Sequence, residues 1–541
     1  MMRSSIPAAL ALLGILVHPD ATSAAPEKEA VTVAAPSAGE KADRIAGQPL
    51  LTPPPRDFQQ TDARFDLAGA TIRAAQAEEQ QVARLLAHEM QRLHGVRLHV
   101  SSQVAAQSGR SITLALIGSP QGEAILKQMA GKKTWPPPRN RNEGYLLQID
   151  SHKAVVLAGS RRGLVYGCQT LLQLVRPGPE GKAKQLLGAR IVDYPQLSFR
   201  GVHICIFPNT ELAAVRQMIL LAARFKYNAV VIEFWSSLQS KKRPETAYEH
   251  AYSPEQIRPL VRLGHALGME MIPMLNSWGH ASGMRSRSGE HVVLDRYPQY
   301  KDLYEPDGWS FCLSNPKIYD HLFERYEELL ALFEPVHYFH LGLDEAWGHL
   351  GLKENVACRG DDPLRLITQH LDKLYAYFAR RKIKVLMWHD MFLQRKHPKL
   401  GRLSPANSVP PFNTHRVLPK LPRDVIIATW NYSQSSEWPV PKYFHDKGFP
   451  VVVCPWKKKQ NTIMLVNVAK KHDLLGLLAT TWDSLDVSQP SVARAGVLAW
   501  TAPGYDLKEV PFDHWLAAIR ALPICDLPKL EKTLEPGDKP R

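Results

Sequence analysis

The sequence predicts a (β/α)8 TIM barrel preceded by a smaller α/β domain. From Phe199 onward, eight apolar runs rich in β-branched and aromatic residues alternate with stretches that have apolar residues at helical spacing. This alternation indicates a parallel sheet covered by helices, and eight such units close into a barrel. The alternative is an open doubly wound sheet, but no glycine-rich phosphate loop follows the first run. The predicted barrel strands are Gly201–Phe207, Ala229–Trp235, Glu270–Leu275, Val336–Gly342, Lys384–His389, Val425–Trp430, Pro450–Cys454 and Gly476–Trp482.

The preceding domain is predicted to span residues 59–190 and to be non-catalytic. Apolar residues at helical spacing predict a helix over Glu78–Leu93, and Gly163–Leu174 predicts a second helix that packs on the strands. Short β-rich runs that end at glycine or at turn residues predict the strands Ile112–Gly118, Gly144–Ile149 and Lys153–Gly159. Acidic, histidine and cysteine residues do not group here into a catalytic pattern.

The segments outside these two domains have the composition of targeting and linker sequence. Residues 1–25 are predicted as a signal peptide, because a positive start at Arg3 is followed by the short apolar run Ile6–Val17 and by small residues. An uncleaved membrane anchor is the alternative. Residues 26–58 are predicted as a disordered linker, residues 198–522 as the barrel domain and residues 523–541 as a C-terminal tail. We therefore expect an exported protein, periplasmic or extracellular, without stable membrane insertion after signal cleavage.

Charge and cysteine content limit the expected partners. Lysine and arginine exceed aspartate and glutamate by 67 to 52, a formal net charge of +15. The positive charge is spread out and no nucleic-acid motif accompanies it, which favours a solvated basic surface over nucleic-acid binding. The six cysteines lack Cys-x-x-Cys spacing, and several lie in apolar runs that favour buried free thiols. The sequence does not fix disulfide pairing or the oligomeric state.

The segment from Val336 to Trp347 is the main candidate for chemistry. Val336–Leu341 is predicted as a buried strand that ends at Gly342, and the carboxylates Asp344 and Glu345 follow. Alternation along a regular strand would point these two side chains apart, so a shared site requires a turn or bulge. Like charges this close raise the pKa of one carboxyl group, which suits a general acid beside an electrostatic stabiliser. The alternative is an acidic helix N-terminus.

Polar and aromatic residues follow several other predicted strands. In a parallel barrel the catalytic residues lie at the carboxyl ends of the strands, and tryptophan beside carboxylate or amide suits a sugar, which has apolar faces and many hydroxyls. No metal-ligand spacing and no nucleophile elbow is found, so no cofactor and no metal site are expected. The substrate-binding candidates are His280, Trp388, Asp390, Trp430, Tyr432, Trp482, Asp483 and Asp486.

The segment His340-x-Gly-x-Asp344-Glu345 resembles the catalytic signature of glycoside hydrolase family 20, the β-N-acetylhexosaminidases. Phe199–Val202 resembles the entry into the first barrel strand of that family, and Ile272–His280 resembles its third-strand segment. The similarity covers most of residues 60–500 and is closest to the hexosaminidase D branch. It also extends to the non-catalytic α/β domain that precedes the family's barrel.

The resemblance implies a retaining, substrate-assisted hydrolysis of β-linked N-acetylhexosamine in a glycan or glycoconjugate. Glu345 would act as general acid and then as base, while Asp344 would orient the acetamido group of the sugar. Tyr432 would bind the acetamido oxygen and His280 would tune the pKa of Glu345. The tryptophans Trp388, Trp430 and Trp482 would line the acetamido pocket, and the aspartates Asp390, Asp483 and Asp486 would bind sugar hydroxyls.

Three positions depart from the family pattern. Cys205 and Pro208 occupy the places of an aspartate and of the arginine that grips the sugar, and Ser236 occupies the place of an aspartate that supports the histidine. Glu233 could replace this aspartate if its side chain faces inward. The departures leave two alternatives open, which are a catalytically altered or inactive carbohydrate-binding barrel and a barrel hydrolase of another family that acts on a different glycan.

Overall fold

A computed structural model of the chain describes residues 51–103, 109–129, 140–181, 183–282, 292–306, 308–346, 362–410, 412–435 and 437–505, together with the backbone of two short strands at 44–45 and 48–49. The predicted signal peptide and C-terminal tail lie outside these residues. No helix in the described ranges combines the length and apolar character that crossing a bilayer requires.

The first domain is a mixed sheet of eight strands with helices packed on it. Its strands follow the order β3-β10-β7-β8-β6-β4-β5, and β9 pairs with β10. The strands up to this point are β1 Arg44–Ile45, β2 Gln48–Pro49, β3 Asp57–Asp66, β4 Thr71–Arg73, β5 His99–Ser101, β6 Ser111–Leu116, β7 Tyr145–Ile149, β8 Lys153–Ala158, β9 Val175–Pro177 and β10 Lys184–Asp193. The helices are α1 Ala77–His94, α2 Pro120–Met129 and α3 Arg161–Leu172.

Helix α1 shows why the sequence prediction for this domain succeeds. A capping box between Gln76 and Glu79 begins the helix, and Gly95 ends it with φ of 71°, a conformation that glycine adopts without strain. The apolar residues at helical spacing, including Val82 and Met90, are buried against the sheet. The two longest strands, β3 and β10, were not predicted.

The beginning of this domain corrects one predicted boundary. Leu51 and Thr52 are 5% and 1% exposed, and the backbone N–H of Thr52 donates to Gln173 Oε1 at 2.8 Å. Strand β3 begins at Asp57. The predicted linker 26–58 therefore extends too far, because its last residues are packed into the domain; the other predicted domain bounds remain predictions.

The second domain is a closed barrel of eight parallel strands, which confirms the predicted fold class. Its strands are β11 Phe199–Ile206, β12 Ala229–Phe234, β13 Glu270–Met274, β14 Tyr338–His340, β15 Lys384–Trp388, β18 Ile426–Trp430, β19 Val451–Cys454 and β20 Gly476–Ala479. A small ribbon of β16 Lys396–His397 and β17 Gly401–Arg402 lies between β15 and β18. The helices of this domain are α4 Leu212–Arg224, α5 Pro254–Ala266, α6 Val292–Arg296, α7 Lys317–Phe333, α8 Pro363–Ala379, α9 Val440–Asp446, α10 Lys459–Lys471 and α11 Leu485–Trp500.

The barrel interior changes from apolar to polar along the strands. Alternate residues of a strand face the same side, so Phe199, His203 and Cys205 of β11 share the inner face. Phe199 packs with Ala229, Ile272 and other apolar residues near the beginning of the strands. Toward the carboxyl ends of the strands the inward-facing residues are polar, so the side chains that can bind or react with a substrate lie at this end of the barrel.

Buried polar contacts tie the two domains together. The carboxylate of Asp193 on β10 accepts from Lys226 Nζ at 2.8 Å, from the Tyr145 hydroxyl at 2.6 Å and from Trp500 Nε1 at 2.9 Å. Arg200 of β11 is fully buried and donates to Glu143 Oε2 at 2.8 Å. A buried ion pair without its partner is costly, so these contacts fix the first domain against the barrel.

Candidate active site

The adjacent acids Asp344 and Glu345 share one site because the backbone after β14 leaves the extended conformation. Gly342, Leu343 and Glu345 have φ of 70°, 72° and 47°. A Cβ on Gly342 would lie 2.3 Å from Asn276 Oδ1, so only glycine fits there. This irregular turn is the interruption of the strand that the sequence argument required.

His280, in the loop after β13, lies between the two acids. Its Nε2 is 3.4 Å from Asp344 Oδ2 and 3.4 Å from Glu345 Oε2. Burial lowers the pKa of His280, but the two carboxylates outweigh burial and raise it well above its ordinary value. The raised pKa keeps the imidazole protonated at neutral pH, between the two carboxylates. That His280 tunes the pKa of Glu345 remains a prediction.

Two tryptophans that sequence reasoning did not assign to the site enclose His280. The ring centroids of Trp235 and Trp309 lie 5.3 and 4.5 Å from that of the imidazole. The indole Nε1 of Trp309 also donates to the carbonyl oxygen of Glu345 at 2.5 Å. Their only sequence signal is the general enrichment of tryptophan after barrel strands, which does not single out these two.

Asp390, which follows β15, is a third carboxyl group next to the pair. Burial and then the charges of Asp344 and Glu345 raise its pKa to about 7. Its Oδ2 accepts from the backbone N–H of Glu345 at 3.1 Å and from Asn407 Nδ2 at 2.7 Å, and its Oδ1 accepts from Trp430 Nε1 at 3.2 Å. Both oxygens thus have protein partners, which favours a role in holding Glu345 over the predicted contact with sugar hydroxyls. In the sequence, only Asp344 and Glu345 are adjacent like charges, and nothing there shows that Asp390 lies beside them.

The predicted aromatic residues form a connected group in and above the barrel interior. The ring centroids of Trp388 and Trp482 are 6.0 Å apart, and Trp430 stacks on Tyr432 at 5.3 Å. The indole Nε1 of Trp482 donates to the Tyr432 hydroxyl at 2.6 Å. Burial raises the pKa of Tyr432 well above its ordinary value, so the hydroxyl keeps its proton. Trp388 is fully buried, whereas Trp430 and Trp482 are partly exposed.

Asp483 and Asp486 lie further out than the other predicted site residues. Asp483 is partly exposed and its Oδ2 accepts from Lys457 Nζ at 2.6 Å. Asp486 is exposed in the first turn of α11 and accepts from Gln489 Nε2 at 3.1 Å. Within the described part of the chain, no hydrogen bond joins either aspartate to Asp344 or Glu345, and their predicted contact with sugar remains a prediction.

Glu233 faces inward, but its partner differs from the expected one. Its Oε2 lies 2.9 Å from His203 Nε2, and its Oε1 accepts from Asn276 Nδ2 at 2.6 Å. Burial raises the pKa of Glu233, but the hydrogen bond and charge of His203, the charge of His280 and the bond from Asn276 lower it overall, so Glu233 is ionised. It therefore affects His280 through charge only, and no hydrogen bond between them occurs among the described residues.

The four cysteines in the described part of the chain are buried. They are Cys168, Cys205, Cys312 and Cys454, and no disulfide joins any two of them, as the sequence indicated for cysteines in apolar runs. Cys358 and Cys525 lie outside the described residues, and so does Trp347.

Two family models match the chain. "Glycosyl hydrolase family 20, domain 2" matches residues 48–194, and "Glycosyl hydrolase family 20, catalytic domain" matches residues 221–461. A curated protein, the beta-hexosaminidase of Porphyromonas gingivalis, is 24% identical over 368 residues. That match covers 63% of this chain and 44% of the relative, so the chain spans less than half of that protein's length.

Solved structures share the architecture at low sequence identity. The exo β-N-acetylglucosaminidase of Vibrio harveyi in complex with N-acetylglucosamine is 18% identical, with a TM-score of 0.61 over 87% of this chain and 77% of that one. The β-N-acetylhexosaminidase of Streptomyces coelicolor is 18% identical, with a TM-score of 0.61 over 87% of this chain and 94% of that one. The corresponding enzyme of Bacteroides fragilis is 16% identical, with a TM-score of 0.62 over 90% and 96%. At these identities the likeness supports the two-domain fold.

Proposed function

We propose, because this chain belongs to glycoside hydrolase family 20, that it is an enzyme that hydrolyses β-linked N-acetylhexosamine residues in a glycan or glycoconjugate. One observation supports this proposal more than any other. The adjacent acids Asp344 and Glu345 lie at equal distance from the protonated His280, next to a group of tryptophans. A carboxylate pair beside aromatic rings is suited to stabilise a positively charged sugar.

The proposed mechanism is retaining and substrate-assisted. The oxygen of the 2-acetamido group attacks the anomeric carbon and forms an oxazolinium ion, while Glu345 gives a proton to the departing glycosidic oxygen. Glu345 then removes a proton from the water that opens the ring. Asp344 accepts a hydrogen bond from the acetamido N–H and stabilises the positive charge that develops on the oxazolinium ring.

His280 supplies the proton that this mechanism needs. The imidazolium Nε2 is 3.4 Å from the Glu345 carboxylate, so the proton has a short path to the acid. A bound sugar excludes water from His280, Asp344 and Glu345. Without this water the charged imidazolium and carboxylate are less well stabilised, which favours transfer of the proton from His280 to Glu345. Asp390 holds the backbone of Glu345 at 3.1 Å and thereby positions the acid without contacting the sugar.

The aromatic group provides the pocket for the acetamido side chain. The Tyr432 hydroxyl keeps its proton, so it can donate to the acetamido oxygen and hold it for attack. Trp388, Trp430 and Trp482 supply apolar surface for the methyl group. Asp483 and Asp486 are proposed to bind hydroxyls toward the outer end of the cleft.

A carbohydrate-binding barrel without turnover is the second candidate. Cys205 and Pro208 stand where the resemblance implies an aspartate and an arginine that grips the sugar, and proline has no side-chain hydrogen-bond donor. This change lowers the expected affinity for an ordinary terminal N-acetylglucosamine while the acid pair remains intact.

Turnover of aryl glycosides distinguishes the two candidates. The hydrolase should release 4-nitrophenol from the N-acetyl-β-D-glucosaminide or the galactosaminide, and NMR should show the β-anomer as the first product. The matched β-glucoside, which has no acetamido group, should not be hydrolysed, and a thiazoline mimic of the oxazolinium ion should inhibit. Binding of N-acetylhexosamine without turnover would instead support the binding module, and comparable turnover of the β-glucoside would refute substrate assistance.

Export is proposed from the N-terminal sequence. Residues 1–25 would direct export of the chain across a membrane and be removed. Fractionation of cells that produce the full chain should recover a shortened protein outside the cytoplasm, and deletion of residues 2–25 should keep it inside. Recovery of the full-length chain in the membrane fraction would favour the uncleaved anchor.

A further inference from the structure

A second cluster of titratable side chains lies inside the barrel, and the proposed hydrolysis does not use it. His203 and Cys205 are on β11, and Glu233 is on the neighbouring β12. The three residues are at most 2% exposed. Cys205 Sγ is 3.4 Å from Glu233 Oε2 and 3.8 Å from His203 Nε2, and the imidazole and carboxylate atoms are 2.9 Å apart.

We propose that His203, Cys205 and Glu233 bind a zinc ion. Imidazole nitrogen, thiolate sulfur and carboxylate oxygen are the three donor types that zinc takes in proteins, and a thiolate disfavours magnesium and calcium. Zinc bonds of about 2.0–2.3 Å at tetrahedral angles place such donor atoms about 3.3–3.6 Å apart. The observed separations of 2.9, 3.4 and 3.8 Å lie around these values, so small side-chain shifts admit the ion.

Charge balance supports a dication in this buried position. On metal binding the thiol of Cys205 gives up its proton to solvent and becomes a thiolate, and Glu233 binds as a carboxylate. One carboxylate and one thiolate neutralise the two positive charges of the ion, while His203 binds as neutral imidazole. Burying a neutral set of charges avoids the desolvation cost of an unpaired ion.

The surroundings of the cluster also fit a metal centre. The amide of Asn276 donates to Glu233 Oε1 at 2.6 Å and so orients the carboxylate, as partners of metal ligands do. Three protein donors leave a fourth position for water or for a hydroxyl group. The cluster His280, Asp344 and Glu345 also brings three donor atoms within 4.8 Å of one another, but it contains no thiol and its carboxylates belong to the proposed catalytic site.

The test measures metal binding directly on the full chain. Protein purified without chelator and dialysed against micromolar zinc should contain one zinc per chain by mass spectrometry. Replacement by cobalt(II) should produce a sulfur-to-cobalt charge-transfer absorption. Cys205→Ser should abolish this absorption and weaken zinc binding at least tenfold, whereas Cys454→Ser, which changes another buried thiol of the barrel interior, should preserve both.

Three results would overturn the proposal. One is wild-type protein that takes up no zinc and shows no cobalt–thiolate absorption, because the cluster would then be a hydrogen-bonded trio only. Another is zinc binding that survives in Cys205→Ser, Glu233→Gln and His203→Gln. The last is zinc binding that is lost in His280→Asn but not in these three variants, since the ion would then belong to the acid pair. The cobalt–thiolate absorption of the wild type separates this cluster from the acid pair, which has no thiol, even if a variant fails to fold.

Discussion

Replacement of Asp390 by asparagine tests the electrostatics of the site through stability. The pKa of this buried carboxyl is about 7, compared with an ordinary value of 3.8. Because the pKa is raised, the folded protein keeps the proton on Asp390 between about pH 4 and pH 7, whereas the unfolded chain loses it. Stability is therefore lost as the pH rises from about 4 to about 7. Asparagine mimics the protonated form and removes this loss.

The size of the effect follows from the two pKa values. Each unit of difference corresponds to about 1.4 kcal/mol, so the full penalty of ionising Asp390 is about 4 kcal/mol above pH 7. At pH 5 only about 1.7 kcal/mol of it is present. The introduced amide forms weaker hydrogen bonds than the carboxyl group does. The resulting loss of stability is the same at both pH values. The free energy of unfolding of Asp390→Asn relative to wild type should thus increase by about 2.5 kcal/mol between pH 5 and pH 8.

Urea unfolding followed by tryptophan fluorescence at the two pH values measures this difference. The control is Asp446→Asn, because Asp446 is on the surface and its pKa is lowered by a hydrogen bond from Lys442. That carboxyl is ionised in both states at pH 5 and at pH 8, so the variant should differ from wild type equally at both. An Asp390→Asn effect that does not change with pH would refute the argument that burial and the neighbouring acid pair keep this carboxyl group protonated.

Three further predictions concern catalysis and folding. Glu345→Gln should lower kcat by about 10²–10⁴-fold on glycosides with poor leaving groups and far less on activated aryl glycosides, and equal losses on both would contradict the acid role. Lys226→Met should destabilise the protein by about 3–5 kcal/mol, measured by urea unfolding, because the buried Asp193 loses its counter-charge. Gly342→Ala should lower both stability and activity because its Cβ would meet Asn276. The control is Gly401→Ala, at a similar φ of 73° but with no atom near the added Cβ. It should lower the free energy of unfolding by only about 1 kcal/mol and leave kcat unchanged.

The fold was predictable from local patterns, since the barrel alternates strands and helices that each carry their own signal. Strand β14 shows the limit of this reasoning. Its run of β-formers predicted Val336–Gly342, but only Tyr338–His340 forms regular pairing, because left-handed backbone begins at Gly342. Strands β3 and β10 were missed because their exposed and buried residues do not alternate cleanly over ten residues.

The site was predictable where the residues follow one another closely in sequence. Asp344, Glu345 and the approach of His280 could be inferred from a short motif and from strand order. The partners of Asp390 could not, since they are a backbone N–H and the side chains of Asn407 and Trp430, which come 17 and 40 residues later. Residue spacing could not predict the His203–Cys205–Glu233 cluster either. Its members lie on two strands, and their side chains meet only in the register that the closed barrel sets.

The contacts of Asp193 with Tyr145, Lys226 and Trp500 have a practical consequence for anyone who shortens this protein. In an isolated barrel, Lys226 and the indole of Trp500 would lose the carboxylate that accepts from both. In an isolated first domain, the carboxylate of Asp193 would lose both of these donors. We therefore expect neither domain to be stable when it is produced alone. Truncations and chimaeras should keep residues 51–505 intact and exchange loops at the catalytic rim instead.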